Sequence, residues 1–413
     1  MTRLSYAAAA LLTLALTSGA PAADNVKIGV IMPLSGNSAS AGQSAVAAME
    51  LAARIVNESH PEIKNIPLAA TAGLPNLGGA KIELVVADHQ GNPSEGQSQT
   101  LRLITQEHVA AMLGSYQSSV SFTATAVAER YGIPFVVGDS VAANITSRGF
   151  KWIFRTTPVA TDFANNYMQF LGDLKKEGHP ATNVAVVYEN TDYGTSVAGT
   201  VREAAKSHGI NIVADIPYNA NAPDVSPQVL QLKEKQPDAI IFISYTADTI
   251  LYMKTMKGLD YLAPMVIGDD SGFSDPAFIK AVGDISQGVI NRSAWDIGAE
   301  GSATYLINEM YKKKTGHDMD DTSARDMQAT LVLADAINRA GSTKPEAIRK
   351  ALQETDLKPD QLIMGYKGIK FDETGQNTLA ATYLIQLIGD HYVAVWPPRS
   401  AQHALVYPLK GWK

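Results

Sequence analysis

The chain of 413 residues contains no cysteine. Disulfide bonds and a lipid anchor on an N-terminal cysteine are therefore excluded, and we expect the hydrophobic core alone to hold the fold. The eight histidines are scattered without a His-x-x-x-His or similar spacing, so we expect no metal site. Beyond the N-terminal region, no apolar run reaches the roughly 18 residues that a membrane-spanning helix needs.

Other absences narrow the class of protein. There is no long basic run, the formal charge is -7 and the pI is about 5.6, so a nucleic-acid partner is not expected. Neither a GxxxxGK[ST] phosphate loop nor a Gly-x-Ser-x-Gly nucleophile elbow occurs. The remaining residues yield no acid–base or nucleophile set. The sequence therefore predicts a protein that is not an enzyme and that needs no cofactor.

The first 22 residues have the layout of a cleaved secretory signal. Arg3 precedes an apolar run from Tyr6 to Leu16, and Ala20 and Ala22 form an Ala-x-Ala cleavage site. An anchor helix is the alternative, but the apolar run is too short to span a bilayer comfortably. We therefore predict that residues 1–22 are a signal peptide and that the mature protein is soluble and periplasmic, without a lipid anchor.

The order of predicted elements indicates an α/β protein with two similar units. Length alone favours two domains. Short β-rich runs alternate with helical patterns from Val26 to Asp139, and the alternation restarts at Trp152. This pattern is typical of parallel, doubly wound sheets. Near the C-terminus, residues 383–388 and 392–396 flank a Gly-Asp turn and predict a hairpin.

The stretch Gly114–Ser121 links a predicted strand, 109–113, to a predicted helix. Ser118, Ser119 and Ser121 coincide with helix N–H groups that lack a partner within the helix. Free N–H groups, the positive end of a helix dipole and short hydroxyls together suit a carboxylate. The alternative is that one of these serines only caps the helix.

Polar and aromatic residues follow several predicted strands of both units. Ligands of open parallel sheets bind beyond the carboxyl ends of the strands. The residues at these ends are Ser35, Ser118, Ser119 and Ser140 in the first unit and Tyr193, Tyr245 and Asp270 in the second. A ligand between the units would meet hydroxyls on one side, and aromatic rings and a carboxylate on the other.

These features resemble the leucine/isoleucine/valine-binding family of periplasmic solute-binding proteins, which serve ABC importers. The matching motifs are Ile28-Gly29-Val30 with Pro33-Leu34-Ser35-Gly36, Asp88 with Pro93, Gly114 to Ser119, Ile133-Pro134, Phe154-Arg155-Thr156, Asp192-Tyr193-Gly194, and Phe371-Asp372 with Gly375. Their order and spacing cover roughly residues 25–396. The resemblance implies the type I periplasmic binding protein fold, in which two doubly wound α/β lobes, joined by a three-stranded hinge, close around the ligand.

The resemblance also implies how the chain is divided and what it does. Crossovers near Thr157, Arg292 and Leu362 would give lobe 1 as 24–157 plus 292–361, and lobe 2 as 158–291 plus 362–413. The protein would be a monomer that captures an amino acid, branched-chain or similar, and delivers it to a membrane ABC permease. An aromatic or other small carboxylate, or an amide, is the alternative solute. A ligand-sensing protein is the alternative role.

Six ligand contacts follow from the resemblance. In chain order they are Ser118, Ser119, Ser140, Tyr193, Tyr245 and Asp270. The serines would hold the ligand carboxylate, the tyrosines would supply aromatic contacts, and the aspartate would receive an α-ammonium. Thr246 is the alternative to its neighbour Tyr245.

Three departures from the family pattern affect the choice of solute. Ala41 stands where amino-acid binders often have an aromatic residue, and the His60–Gly79 excursion, with its three prolines and three glycines, is longer than usual. Asp270 is one methylene shorter than the expected glutamate. These differences weaken the assignment to branched-chain amino acids in particular.

Overall fold

A computed structural model describes residues 24–269, 271–389 and 391–409 of the chain. The signal peptide predicted for residues 1–22 lies outside the described residues, and so does Asp270. Within these three ranges, no helix combines the length and the apolar character needed to cross a membrane.

The first unit is built on a five-stranded parallel sheet with the order β2-β1-β3-β4-β5. Its strands are β1 (Val26–Met32), β2 (Ile82–Asp88), β3 (Ala111–Gly114), β4 (Phe135–Val137) and β5 (Ile153–Arg155). The connecting helices are α1 (Ala39–Asn57), α2 (Pro93–Thr105) and α3 (Ser118–Tyr131). The central strands are nearly continuous apolar runs because helices cover both faces of the sheet.

The second unit contains a seven-stranded mixed sheet with the order β14-β13-β10-β9-β8-β6-β7. Its first strands are β6 (Asn183–Glu189), β7 (Asn211–Tyr218), β8 (Ala239–Ile243), β9 (Val266–Asp269) and β10 (Ile290–Ser293). Its helices are α4 (Ala160–Lys176), α5 (Asp192–His208), α6 (Ser226–Lys235), α7 (Thr246–Gly258), α8 (Ser271–Ser274) and α9 (Pro276–Val282). Two apolar clusters, one on each face, form its core.

The C-terminal part of the chain adds to both units. The remaining elements are α10 (Ala303–Thr315), α11 (Asp321–Ala340), α12 (Pro345–Gln353), β11 (Asp356–Leu357), β12 (Ile369–Lys370), β13 (Tyr383–Ile388) and β14 (His391–Trp396). The three helices return to the first unit and contribute to its core beside α1. The antiparallel pair β13–β14 confirms the predicted hairpin and lies at the edge of the second sheet.

Three segments connect the units side by side. The first follows β5 at Thr156, and the second follows β10 at Ala294. In the third, Gln376 forms a parallel bridge with Arg155, and the N–H of Gly365 donates to the carbonyl oxygen of Ala294 at 2.7 Å. The backbones of the three connections are therefore hydrogen-bonded to one another.

The third connection lies later in the chain than the predicted crossing near Leu362. Ile363, Met364 and Phe371 are buried in the core of the first unit, and the chain joins the second sheet only at Tyr383. Because these apolar side chains are part of the first core, the chain passes to the second unit only after them. The division into lobes stays a prediction, and this packing favours a last boundary near residue 380 rather than 362.

The 60–79 excursion is tied to the first unit rather than detached from it. Ile63, Ile66 and Leu74 are buried in the first core. An antiparallel bridge joins Leu74 to Ala80, so the excursion ends where β2 is about to begin. The excursion therefore extends the first unit on the side of α1.

Candidate ligand-binding cleft

The serine turn begins where β3 ends. Gly114 pairs with Ile31 of β1 in parallel register, and its φ of +126° is one that L side chains rarely adopt. A Cβ at this position would lie 2.3 Å from the carbonyl oxygen of Ile31. Glycine is therefore required at the strand end, and Ser115 and its successors follow beyond the edge of the sheet.

A group of buried hydroxyls holds the turn in shape. The Oγ of Ser121 lies 2.9 Å from the Oγ of Ser115 and 2.6 Å from the Oγ of Ser140. The Ser140 hydroxyl also lies within donating distance of the carbonyl oxygens of Ser115, at 2.7 Å, and of Tyr116, at 3.0 Å. Ser140 thus joins the turn after β4 to the turn after β3.

Ser118 is the first residue of α3, and it does not cap the helix. The N-cap position is Gln117, whose side chain makes no capping bond. The Oγ of Ser118 instead accepts a hydrogen bond from the N–H of Ala142 at 3.3 Å, and Ser118 is 1% exposed. The N–H groups of Ser118 and Ser119 have no acceptor among the described residues, and Ser119 is half-buried.

The side chain of Arg155 is hydrogen-bonded to the turn after β4, which carries Ser140. Its Nη1 donates to the carbonyl oxygens of Ala142, at 2.7 Å, and Ser140, at 3.3 Å, while its Nε donates to the Oε1 of Gln376 at 2.6 Å. Burial lowers the pKa of Arg155 to about 9, which leaves the guanidinium charged at neutral pH. The turn that carries Ser140 is therefore anchored to the hinge.

Tyrosines occupy the facing side of the cleft. Tyr193 lies in the first turn of α5, and Tyr245 directly precedes α7. Their ring centroids are 5.1 Å apart, and the ring of Tyr245 is also 5.3 Å from that of Tyr116 in the serine turn. Rings from the two units are therefore in direct contact across the cleft.

A buried aspartate fixes the tyrosine side. The hydroxyl of Tyr193 donates to the carbonyl oxygen of Asp269 and lies 3.0 Å from its Oδ2, while Tyr167 donates to its Oδ1. The Nε of Arg292 donates to the same Oδ1 at 3.0 Å, and its guanidinium stacks on Phe163, 3.7 Å from the ring centroid. Asp269 therefore links the tyrosine hydroxyls to a buried cation.

The charged network continues into the first unit. Asp321, at the start of α11, lies 3.9 Å from Arg292 and 3.0 Å from the Nε of Arg325. Arg325 also pairs with Asp139 at 2.7 Å, directly before Ser140 in the chain. These side chains are 0–3% exposed. A continuous row of buried charges therefore runs behind the cleft from one unit to the other.

Further polar contacts join the units at the rim of the cleft. The Oγ of Ser40 on α1 donates to the Oδ1 of Asp275 of the second unit at 2.9 Å, and the Oγ1 of Thr246, also of the second unit, donates to the Oδ2 of the same aspartate at 2.9 Å and holds it in place. The side chain of Asn37 donates to that of Asn221 at 2.6 Å. With the tyrosine contact, these bonds describe two units closed on each other.

The structure describes five of the six sequence-predicted residues and brings them to the place where the two units meet. Ser118 and Ser140 lie in adjacent turns, Tyr193 and Tyr245 face them, and Ser119 follows Ser118 on the helix. Asp270 lies outside the described residues. None of these placements tests a ligand contact, so the six roles stay predictions.

Sequence reasoning missed the residues that support this arrangement. Tyr116 lies inside the serine stretch, where the hydroxyls of its neighbours are the more evident ligand groups. Asp269 precedes Asp270 in the Gly-Asp-Asp turn, and the first of the two acids could have been noted as a partner. The pairing of Arg292 with Asp269 joins distant parts of the chain, and no local pattern announces it.

Known proteins resemble the chain over almost its full length. A model of the periplasmic binding protein family matches residues 25–391. The Leu/Ile/Val-binding protein homolog 7 of Brucella abortus (strain 2308) is 30% identical over 402 residues, which cover 95% of this chain and 96% of the relative.

Solved structures share the fold at lower sequence identity. The branched-chain amino acid transporter substrate binding protein LivJ of Streptococcus pneumoniae, in complex with isoleucine, has a TM-score of 0.76 at 21% identity, covering 89% of this chain and 98% of that one. A solute binding protein of an ABC transporter from Rhodopseudomonas palustris BisB5, in complex with 3,4-dihydroxy benzoic acid, has a TM-score of 0.74 at 19% identity, covering 93% and 99%. The two-unit α/β architecture is therefore that of the type I periplasmic binding proteins. Together with the family match and the identity to a curated relative, it shows that the chain belongs to the leucine/isoleucine/valine-binding family of periplasmic binding proteins.

Proposed function

We propose that the protein is the exported solute-binding component of an ABC import system. It captures an amino acid, branched-chain or similar, between its lobes and, as a monomer, delivers it to the membrane permease. One observation carries this proposal. Hydroxyls and helix N–H groups around Ser118 face the rings of Tyr193 and Tyr245 where the two units meet.

The serine side is suited to the acid end of the solute. The unused N–H groups of Ser118 and Ser119 lie at the positive end of the 14-residue helix α3. A carboxylate there would accept from both N–H groups and from the Ser118 hydroxyl, with Ser140 completing the site from the neighbouring turn. No charged side chain is needed, since backbone N–H groups alone can bind an anion.

The opposite side is suited to the rest of an amino acid. Tyr193 and Tyr245 offer ring surface, and Asp270 directly follows β9, where an α-ammonium would have a charged acceptor. Such a charge-assisted bond contributes about 1.5–3 kcal/mol. The acid in this turn is why an amino acid ranks first.

An aromatic carboxylate is the second candidate. The three rings of Tyr116, Tyr245 and Tyr193 form a tilted stack with centroid spacings of 5.3 and 5.1 Å, a geometry that an aromatic ligand could extend. The Rhodopseudomonas palustris protein of the same fold carries 3,4-dihydroxy benzoic acid. The small Ala41, at a position where amino-acid binders of the family often have an aromatic residue, is consistent with a solute other than leucine.

A thermal-shift screen tests the proposal and ranks the two solutes. The purified mature chain is heated with each of the common amino acids and with benzoate and hydroxybenzoates. A solute at a hundredfold over its dissociation constant should stabilise the protein by about 2.7 kcal/mol, which raises Tm measurably. Stabilisation by aromatic acids alone would favour the second candidate, and no shift with either class would contradict the proposal.

Calorimetry on variants then tests the serine side. Ser118→Ala should weaken binding of the best solute by about 1–3 kcal/mol, because a buried polar partner is lost, or roughly 5- to 150-fold in affinity. Ser207→Ala, at the exposed far end of α5, is the matched control and should leave the affinity unchanged. Equal affinities for the two variants would mean that Ser118 does not contact the solute.

A further inference from the structure

A second cavity lies beside the connections between the units. Its volume is about 1120 Å³, which is large enough for a small organic ligand. We call it the hinge-side cavity, and the residues that matter here are Ser274, Trp295, Met319, Asp320, Tyr383 and Tyr392. The five described residues of the predicted solute site do not line it. The hinge-side cavity is therefore distinct from the proposed solute site.

Its walls are aromatic and held in place. The Nε1 of Trp295 donates to the carbonyl oxygen of Met319 at 3.0 Å, and Trp295 is 8% exposed. The hydroxyl of Tyr392 donates to the carbonyl oxygen of Phe273 at 2.5 Å. Both side chains line the cavity, and because their polar ends are already bonded, a ligand would meet them through their ring carbons.

One buried carboxylate of the lining has no cation. Asp320 is the N-cap of α11, where its Oδ1 accepts from the N–H of Ser323 at 2.7 Å. Among the residues that the structure describes, its Oδ2 has no hydrogen-bond partner and no Lys or Arg within 4.0 Å. The carboxylates of Asp275 and Asp321 are close enough to oppose its ionisation. Asp320 is 9% exposed, so water compensates this negative charge poorly.

Among the described residues, two other acids that line the cavity have cationic partners, unlike Asp320. Asp318, which also lines the cavity, pairs with Lys312 at 3.1 Å, and Asp321 has two arginines. The hydroxyl of Ser274, on the adjoining helix α8, is buried and has no partner in the described part of the chain. Burial raises the pKa of Asp320 to about 6, so the carboxylate is still mostly ionised at pH 7.5.

We propose that the hinge-side cavity binds a small molecule that carries a protonated amine on an aromatic or apolar body. The ammonium donates to the Oδ2 of Asp320, with Ser274 as a second acceptor, and the body packs on Trp295 and Tyr392. A cation beside aromatic faces gains further attraction from the rings. The proposal does not depend on which solute the cleft binds.

Titration calorimetry at pH 7.5 with phenethylamine, and with 3-phenylpropanoate as an anion of similar size, tests this proposal on the mature chain. Phenethylamine should bind the unmodified protein and the anion should not bind in this cavity. Asp320→Asn should weaken phenethylamine binding at least tenfold while keeping α11 capped, since asparagine is an equally good N-cap. Asp284→Asn removes the same charge at an exposed position and should change the affinity less than twofold.

Ser118→Ala separates this site from the cleft. Phenethylamine affinity within twofold of the unmodified protein supports the hinge-side cavity, whereas its loss in Ser118→Ala would place the amine in the cleft and overturn the proposal. The proposal is also wrong if phenethylamine fails to bind at 10 mM, or if Asp320→Asn binds it as tightly as Asp284→Asn. A failure of amino-acid binding in the thermal-shift screen would leave these outcomes unaffected.

Discussion

The two sides of the cleft hold their polar groups by different means. On the serine side, Ser115, Ser121 and Ser140 bond to one another and to backbone carbonyls, so the cluster is neutral. On the tyrosine side, the hydroxyl of Tyr193 depends on Asp269, which in turn depends on Arg292. The serine hydroxyls of the first side are therefore bonded only to one another and to backbone carbonyls, whereas the Tyr193 hydroxyl of the second side is bonded to a member of a buried ion pair.

This difference sets how each side should respond to a lost group. Removing one neutral hydroxyl leaves its partners with other acceptors nearby, so the loss stays close to that of one hydrogen bond. Removing one member of a buried ion pair leaves the other charge without compensation, and that loss is several times larger. The two sides can therefore be distinguished by single substitutions.

The largest effect should come from Asp269→Asn. The substitution keeps the shape of the side chain but removes the negative charge 3.0 Å from the Nε of Arg292, whereas the carboxylate of Asp321 lies 3.9 Å from its guanidinium. We expect the free energy of unfolding to fall by about 3–5 kcal/mol, as for other broken buried pairs. Urea denaturation followed by circular dichroism measures this change.

Asp215→Asn is the control for this prediction. Asp215 pairs with Arg202 at 3.1 Å, but both side chains are 39% exposed, so the loss should be below about 1 kcal/mol. If Asp269→Asn costs no more than Asp215→Asn, the buried pair does not stabilise the tyrosine side.

A second prediction concerns two acids with opposite pKa shifts. Asp88, after β2, is subject to burial, which raises its pKa, but hydrogen bonds from Ser35, Gln90 and Leu34 lower the pKa overall. Asp248, on α7 of the second unit, has its pKa raised to about 6 by burial, although Asn221 and Tyr218 bond to it. The carboxylate at 248 is therefore less stable as an anion in the folded protein than in the unfolded chain.

The sign of the pH dependence follows from this shift. Between pH 4 and 6 the folded protein holds a proton on Asp248 that the unfolded chain, with a pKa near 3.9, has released. Through this group the free energy of unfolding falls as the pH rises from 4 to 6. Asp248→Asn should therefore raise stability at pH 7.5 by up to about 3 kcal/mol and have little effect at pH 4.

Urea denaturation of the unmodified protein and of Asp248→Asn, each at pH 4 and pH 7.5, checks this second prediction. The buried Glu189 also has a raised pKa and remains in the variant, so some pH dependence should persist. Equal stabilities of the variant and the unmodified protein at pH 7.5 would show that burial of Asp248 imposes no penalty on its charge.

Much of the fold could be predicted from the sequence because its signals are local. The C-terminal hairpin, predicted from residues 383–388 and 392–396, has the predicted type and place, since apolar runs and turn residues act over a few positions. The crossing near Leu362 stays a prediction, and the structure adds that apolar residues between 363 and 371 belong to a core formed with distant helices, which no pattern in this stretch of sequence indicates.

The same difference between local signals and distant contacts applies to the residues of the candidate site. Ser118, Ser140, Tyr193 and Tyr245 could be selected because each follows a strand end, and strand ends of parallel sheets meet at one edge. The residues that hydrogen-bond to these side chains and their turns could not be predicted from strand ends. Arg155 reaches the Ser140 turn from a hinge strand, so the contact depends on tertiary structure alone.

The smallest of the three effects should come from Ser121→Ala on the serine side. The hydroxyls of Ser115 and Ser140 would each lose one neighbour, but Ser115 would keep the carbonyl oxygen of Gln117 as an acceptor and Ser140 those of Ser115 and Tyr116. We expect the free energy of unfolding to fall by about 1–2 kcal/mol, against less than about 0.5 kcal/mol for the exposed Ser207→Ala. Because Ser121 and Ser140 are in contact, the double variant Ser121→Ala/Ser140→Ala should lose a different amount from the sum of the two single losses. A loss above 3 kcal/mol from Ser121→Ala alone would make the neutral side as sensitive as the charged one, and the contrast between the two sides of the cleft would not hold.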